Sequence, residues 1–425
     1  STQFEGHTVE RGANWISGLE EIYENPIWIL AKQVNLEGHE SNRDEQQSVL
    51  ALHGENGTDM TEEYMETLQR FDGIYEKAVM TCAHQGIQPG HDDVDVMTLL
   101  EQCGWKKPLE QTMLEQTVQT NVLDVWVAND LRNLSAAHDM RPGMNDVDLG
   151  KEEVFVEDPR GFNTIMNGMV DDIQKWGGTI KLNTVVERVE YAPENVQIKA
   201  KDIESEQVVE YSADIIVCTT SLGVLQNEQI EFVPPLPDWK KRAIHEIGMF
   251  CFAKVFARFD ERFQPNKDQF AICTNQKGHY PFWMKYKNAS DNLFMCHLGG
   301  LEAERVESLT DKEIKNEIEE LFRNAFSIKL ASVDPIIFRP AAVAVTNWSK
   351  NPRFCGSYSY FPVHAFATVR EADLTCGLTG TNNRDGPKTL YFAGEALDDK
   401  FNGWVQGAYR SGERVARSII EDITL

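Results

Sequence analysis

The apolar positions of the chain follow two periodicities, and their alternation along the sequence predicts an α/β protein. Over residues 61–83, Tyr64, Leu68, Phe71, Tyr75 and Val79 recur at helical spacing, the stripe of an amphipathic helix. Helical spacing continues from residue 92 to about 130, so this stretch predicts a mainly helical lobe. Shorter helices are expected over residues 26–35, with Ile27, Leu30, Ala31 and Val34 on one face, and from Gly161 through Ile165, Met169 and Ile173 to a stop at Gly177 and Gly178. Thr310 and Glu313 form a capping box ahead of Ile314, Ile318, Leu321, Phe322 and Ala325, where each side chain can satisfy the other's backbone N–H at the start of an amphipathic helix.

Strand patterns fill much of the remainder. Residues 180–191 and 196–200 predict paired strands, and 213–220 a buried strand leading into Ser221-Leu222-Gly223-Val224-Leu225. Residues 250–259 predict a strand with a lysine inside it, 282–286 and 292–299 continue a sheet, and 338–361 return to strands. Residues 37–60 read as polar and turn-rich, and residues 4–18 as a short strand entering a glycine-punctuated loop. Near the C-terminus the apolar run Leu390-Tyr391-Phe392-Ala393 stops at Gly394 and Glu395, and a helix with a small-residue face (Gly407, Ala408, Ser411, Gly412) begins near Gly403 or Trp404. A carboxylate just past a strand suits a sugar or ribityl hydroxyl, and a helix start suits an electron-rich ring or an anion. The same pattern equally describes a plain strand–helix connection packed by small residues.

The totals narrow the picture. A chain of 425 residues is long enough for two packed domains. Forty-one Lys and Arg against 67 Asp and Glu leave a formal charge of −26, which repels nucleic acid and anionic membranes and attracts cations. No apolar run is long enough to span a bilayer, and Ser1, with neither a start Met nor a signal-peptide pattern, reads as a processed or truncated start. The eight cysteines include no C-x-x-C pair, so reduced core thiols are expected rather than a zinc site, and no metal ligands are assigned. Sequons at Asn56, Asn133, Asn288 and Asn347 permit secretion without deciding the compartment.

Two features carry candidate chemistry. Lys254 shares its strand face with Phe252 and Phe256. If that face is buried, the ammonium is costly unless hydrogen-bonded or lowered in pKa, and such a lysine can hold a water; on an edge strand it would simply reach solvent. Trp15, Trp348, Tyr358, Tyr360, Phe361, Phe401 and Trp404 fall in candidate loops, where they serve either as ligand-stacking walls or as plain core. No Ser/His/Asp signature, metal-ligand spacing or P-loop stands out.

Taken in order, several segments resemble the flavin-containing amine oxidases, the group of polyamine oxidases, monoamine oxidases and lysine-specific histone demethylases. They are Arg11-Gly12-Ala13-Asn14-Trp15 with Asn25-Pro26, Leu182-Asn183 with Val186, residues 214–225, Pro234-Pro235-Leu236-Pro237-Asp238-Trp239, Lys254, Trp348, Gly356-Ser357-Tyr358-Ser359-Tyr360, and Phe392-Ala393-Gly394-Glu395 through Gly412. The resemblance implies a two-domain fold, with an FAD domain woven from residues 1–31, 150–238 and 384–425 and a substrate domain of mixed sheet and helices from 32–149 and 239–383. It implies that Arg11, Gly12, Ala13, Asn14 and Trp15 lie at the flavin, Val186 at the adenine side, and Lys254 on a water bridging toward flavin N5. Trp348 would pack on the flavin, Gly394 and Glu395 hold the ribityl chain, and Gly403, Trp404 and Val405 present the helix start to the pyrimidine edge. Tyr358 or Tyr360, with Trp404, would form the aromatic cage that guides the amine.

Departures accompany the match. Trp404 stands where many relatives have tyrosine, and Ser17 where similar plant-type polyamine oxidases carry a substrate-pairing glutamate, which counts against a polyamine preference without excluding it. There is no Gly-x-Gly-x-x-Gly in the chain, so the first β-α-β unit is expected to be missing and FAD affinity to fall with it. Cys355 lies near the residue that bonds flavin in monoamine oxidases but one position out of register, and no thioether is expected. The resulting expectation is FAD- and O2-dependent oxidation of a small cationic amine, most readily a polyamine, to an aldehyde, a smaller amine and hydrogen peroxide. A histone-demethylase-like enzyme, a non-catalytic scaffold and an L-amino-acid oxidase are the alternatives; oligomeric state stays open.

Overall fold

A computed structural model of the chain describes all residues except 20–24, 43–48, 88–91, 141–151, 287–291, 327–337, 364, 366–376, 380–387, 399 and 425. The Asn288 sequon and Cys376 therefore lie outside the described residues. The largest sheet has six strands in the order Ala342–Val345, Phe252–Phe259, Asn292–Gly299, Phe282–Lys285, Gln269–Cys273 and Leu50–His53. All neighbours are antiparallel except the last pair, where Leu50–His53 runs parallel to Gln269–Cys273. That strand lies within a region whose sequence reads as polar and turn-rich; at four residues it is too short to show a period.

The two faces of this sheet follow the two-residue alternation of its strands. Ala253, Val255, Ala257 and Phe259 with Phe294, Cys296 and Leu298 pack under the helix Asp311–Phe326 through Ile314, Ile318, Leu321 and Phe322. The capping box forms as its spacing predicts: Thr310 N donates to Glu313 Oε2 at 2.8 Å and Glu313 N to Thr310 Oγ1 at 3.4 Å. Lys254 and Phe256, with Leu293, Met295 and His297 opposite, take the other face. They turn toward a three-stranded antiparallel sheet of Trp15–Ser17, Glu152–Val156 and Gly38–Asn42.

The helical lobe is present as the periodicity predicts. Thr61–Gln85 ends on Gly86 in the left-handed region at φ 62°, and its stripe of Tyr64, Leu68 and Phe71 packs against Val96–Cys103 and Met113–Gln119. The last of these helices passes through a π-helical turn, Thr120–Asp124, before the short helix Val125–Val127.

A four-stranded sheet joins Glu231–Val233, Thr184–Tyr191, Val196–Asp202 and Val208–Ala213. Two expectations need correction here. The strand expected from residue 180 begins only at Thr184: Asn183 sits at φ 55° in the left-handed region, which breaks the extended run and leaves Leu182 79% exposed. The run expected as one buried strand over 213–220 is instead split between the end of the strand Val208–Ala213 and the short strand Ile216–Cys218, which pairs in parallel with Leu390–Phe392, and Val217 is 37% exposed. Val208–Ala213 itself is an edge strand with no buried residue, so no hydrophobic pattern announced it.

The C-terminal helix Val405–Thr424 returns against the end of the parallel pair. Its small-residue face has a specific cause at Gly407, where a Cβ would lie 1.9 Å from the Phe401 carbonyl oxygen, whereas a Cβ at Gly412 would meet nothing within 4 Å. Gly407→Ala is expected to lose about 1–3 kcal/mol, as overpacked sites do, and Gly412→Ala to gain about 0.5–1 kcal/mol from helix propensity. Urea unfolding of the two variants measures both; equal midpoints would contradict the assignment of the close approach to Gly407.

Candidate active site

Lys254 is 2% exposed and its strand is interior, flanked by Asn292–Gly299 and Ala342–Val345, so the edge-strand alternative does not apply. Its Nζ donates to Glu10 O at 3.0 Å, to Gly12 O at 2.6 Å and to Asn14 Oδ1. All three ammonium hydrogens therefore tie the central strand to one loop. Asn14 is itself fixed from both sides: its carbonyl accepts from Val156 N at 2.8 Å, and its Nδ2 approaches the Tyr286 hydroxyl at 3.4 Å.

The same loop carries a second anchor. Trp348 Nε1 donates to Arg11 O at 3.1 Å, the Arg11 guanidinium stands 5.5 Å from the Trp348 ring centroid, and Arg11 Nη2 donates to Thr346 O at 2.5 Å. Between the anchors, Gly12 and Ala13 are exposed. The structure thus brings together Arg11, Gly12, Ala13, Asn14, Trp15, Lys254 and Trp348, the Gly12–Lys254 contact spanning 242 residues of sequence and the Arg11–Trp348 contact 337.

From Trp15 a belt of rings runs across the sheet face. Trp15 meets Phe155 at 4.9 Å, Trp126 at 5.9 Å and His297 at 5.6 Å between centroids. Trp126 in turn meets His297 at 5.0 Å and stacks near Phe252 at 6.2 Å. Phe252 leads to Tyr358 at 6.0 Å, and Tyr360 stacks on Phe250 at 4.4 Å. The Tyr358 hydroxyl donates to the Trp126 carbonyl. Trp126 and His297 are the residues that sequence reasoning missed. The first follows the π-helical turn, which rotates it off the preceding helical stripe; the second is one histidine in a continuous apolar strand, with no motif around it.

Glu395 closes the other side. Its oxygens accept from Ser359 Oγ at 2.7 Å, Ser359 N at 3.2 Å and Gly403 N at 2.6 Å. Burial raises its pKa and these donors work against the rise. The carboxylate therefore clamps the Ser359–Tyr360 strand to the approach of the C-terminal helix. Gly403, at φ 81°, lies against the Tyr358 ring, which a Cβ there would meet at 3.3 Å. Among the described residues no ring contact joins Trp404 to Tyr358 or Tyr360; Val405 packs toward Ile16, Ile27 and Phe162. Val186 lies apart, against the core that contains Cys218, Phe392 and Ala396.

The residues present fit a flavin at this end of the site. Gln406 Nε2, in the first helical turn, is buried without a partner among the described residues, and that turn carries N–H groups with no intrahelical acceptor. Gly394, at φ 152°, faces space in which a Cβ would meet nothing within 4 Å. Gly12 and Ala13 are exposed, and a Cβ on Gly12 would lie 3.9 Å from the Trp348 ring. Cys355 is half-buried, its thiol raised by burial and directed to Pro352 O at 3.5 Å.

Comparison with known proteins agrees. The family model described as "Flavin containing amine oxidoreductase" matches residues 1–420. Polyamine oxidase 1 of Zea mays is 27% identical over 99% of this chain and 82% of that protein. The possible lysine-specific histone demethylase 1 of Drosophila melanogaster is 31% identical over 57% of this chain and 28% of that protein. Among solved structures, cyclohexylamine oxidase from Brevibacterium oxydans IH-35A superposes with a TM-score of 0.65 at 16% identity, covering 98% of this chain and 88% of that one, which shows the two-domain amine oxidase fold with its mixed sheets. The chain belongs to the flavin-containing amine oxidoreductase family and is an FAD-dependent amine oxidase.

Proposed function

We propose that this amine oxidase oxidises a C–N bond of a small polyamine-type substrate, yielding an aldehyde, a smaller amine and hydrogen peroxide. The observation that carries this reading is the ring belt from Tyr358 through Phe252, Trp126 and Trp15 to the loop tied by Lys254. Aromatic faces attract a cationic chain and exclude water from its alkyl segments. A formal charge of −26 draws polycations toward the protein. Beside Ser17, the Glu153 carboxylate accepts from Ser17 Oγ at 3.1 Å, so negative charge is present where the serine alone supplies none.

On this reading Arg11 to Trp15, Trp348 and Gly403 to Val405 hold the isoalloxazine end of FAD, Gly394 and Glu395 the ribityl chain, and Val186 the adenine side. FAD, when bound, would supply the two-electron redox chemistry, with O2 as the terminal acceptor and water as the source of the aldehyde oxygen. The chain's own side chains orient: Lys254 fixes the Glu10–Asn14 loop, Glu395 fixes Gly403, and Tyr358, Tyr360 and Trp404 border the amine's approach. Residues 1–31, 150–238 and 384–425 form the cofactor domain and 32–149 with 239–383 the substrate domain; the pairing of Leu50–His53 with Gln269–Cys273 supports grouping the last two.

Anaerobic mixing of flavin-loaded protein with spermine is expected to bleach the flavin's visible absorbance. Bleaching by a dimethyl-lysine peptide but not by spermine would turn the reading toward a demethylase, and a flavin that no amine reduces would remove it.

Lys254 supplies a second test. Burial pulls it from 10.5 to about 7, with the Glu10 carboxylate opposing. Between those values the unfolded chain holds a proton that the folded chain has released, so folding stability rises with pH, by at most about 1.4 kcal/mol per pH unit. The three oxygen acceptors on Nζ favour the ammonium and reduce that slope. The stability difference between wild type and Lys254→Met is expected to shift toward wild type from pH 7 upward; parallel stability profiles would contradict a depressed lysine.

A further inference from the structure

His297 stands directly opposite Lys254 on the neighbouring strand, on the sheet face that meets Trp15. It is 1% exposed, and among the described residues neither Nδ1 nor Nε2 has a hydrogen-bond partner. Three rings enclose it: Trp126 at 5.0 Å, Trp15 at 5.6 Å and Phe252 at 5.6 Å. Burial and the neighbouring lysine hold the imidazole well below its ordinary pKa, so it is neutral, with one N–H and one lone pair. For the fold alone this is a poor choice. A phenylalanine would fill an aromatic enclosure without leaving two polar atoms unpaired, and an orphan of this kind calls for an explanation such as a bound molecule.

The surroundings specify the missing partner. Lys254 is no partner for it, because its Nζ is bonded to Glu10, Gly12 and Asn14. The enclosing ring faces attract positive charge, and the imidazole lone pair requires a donor. An amine or ammonium nitrogen meets both conditions. Resting on the amine-oxidase reading above, we propose that His297 is a substrate-recognition residue whose imidazole accepts a hydrogen bond from a nitrogen of an extended di- or polyamine held among Trp15, Trp126 and Phe252. Trp126, in ring contact with the imidazole, is itself 41% exposed, whereas His297 is 1% exposed.

The test compares flavin-loaded wild type, His297→Phe and His297→Gln, with spermidine as the probe. In anaerobic stopped-flow reduction, His297→Phe is expected to raise the apparent Kd for spermidine about tenfold, the loss of one hydrogen bond, while its limiting rate falls less than its affinity. Its thermal midpoint without amine is expected to equal or exceed that of wild type, because an unpaired polar group has gone. His297→Gln, which restores an acceptor, is expected to recover part of the affinity. A purely structural histidine gives another pattern: a lowered midpoint with unchanged Kd, or a raised midpoint with wild-type Kd, and either result overturns the proposal. The spermidine-induced rise in thermal midpoint does not depend on turnover. If wild type shows no rise, or His297→Phe the same rise as wild type, the recognition role fails; if the rise is intact but no flavin bleaches, only the catalytic reading fails.

Discussion

The site depends on one buried ammonium. Lys254 lies in the interior of the six-stranded sheet, yet spends its three hydrogens on a loop more than half the chain away. A buried lysine without acceptors would release its proton or refuse burial. The backbone of Glu10 and Gly12 and the amide of Asn14 supply those acceptors, and in doing so the loop is held to the sheet. Trp348 and Arg11 secure its outer side. Trp15, the next residue, then projects into the ring belt in a fixed direction, and the amine's path is set by that one electrostatic constraint.

A second, independent clamp shapes the opposite wall. Glu395 ties Ser359 to Gly403, which places the Tyr358 ring over the approach to the C-terminal helix. Gly407 then lets that helix close on the Phe401 carbonyl. Two buried ionisable groups, a lysine and a glutamate, thus organise the two sides of the site, and each is bonded to segments of its own side rather than to the other.

Particular residues show what was legible in the sequence. The cap at Thr310, the helix carrying Tyr64, Leu68 and Phe71, and the placing of a lysine inside an apolar strand all depend on local spacing, and local spacing survives folding. The gathering of Arg11, Lys254 and Trp348 was readable only through resemblance, because no local pattern links positions so far apart. His297 and Trp126 were not readable at all. Histidine in an apolar strand has the same pattern whether it is core or ligand, and a π-helical turn shifts a side chain's direction without changing the composition around it. Glu395 was read as an acid facing a ligand; that it also holds Ser359 and Gly403 follows from a strand and a turn that meet only in three dimensions.

Hydrogen–deuterium exchange tests the central claim most directly. If the Lys254 ammonium holds the loop, the peptide covering residues 10–15 is protected in wild type and exchanges much faster in Lys254→Met, while peptides from the Phe252–Phe259 and Asn292–Gly299 strands keep their protection. Unchanged protection of residues 10–15 in that variant would show that the loop stands without the lysine, and the account of the site would fail.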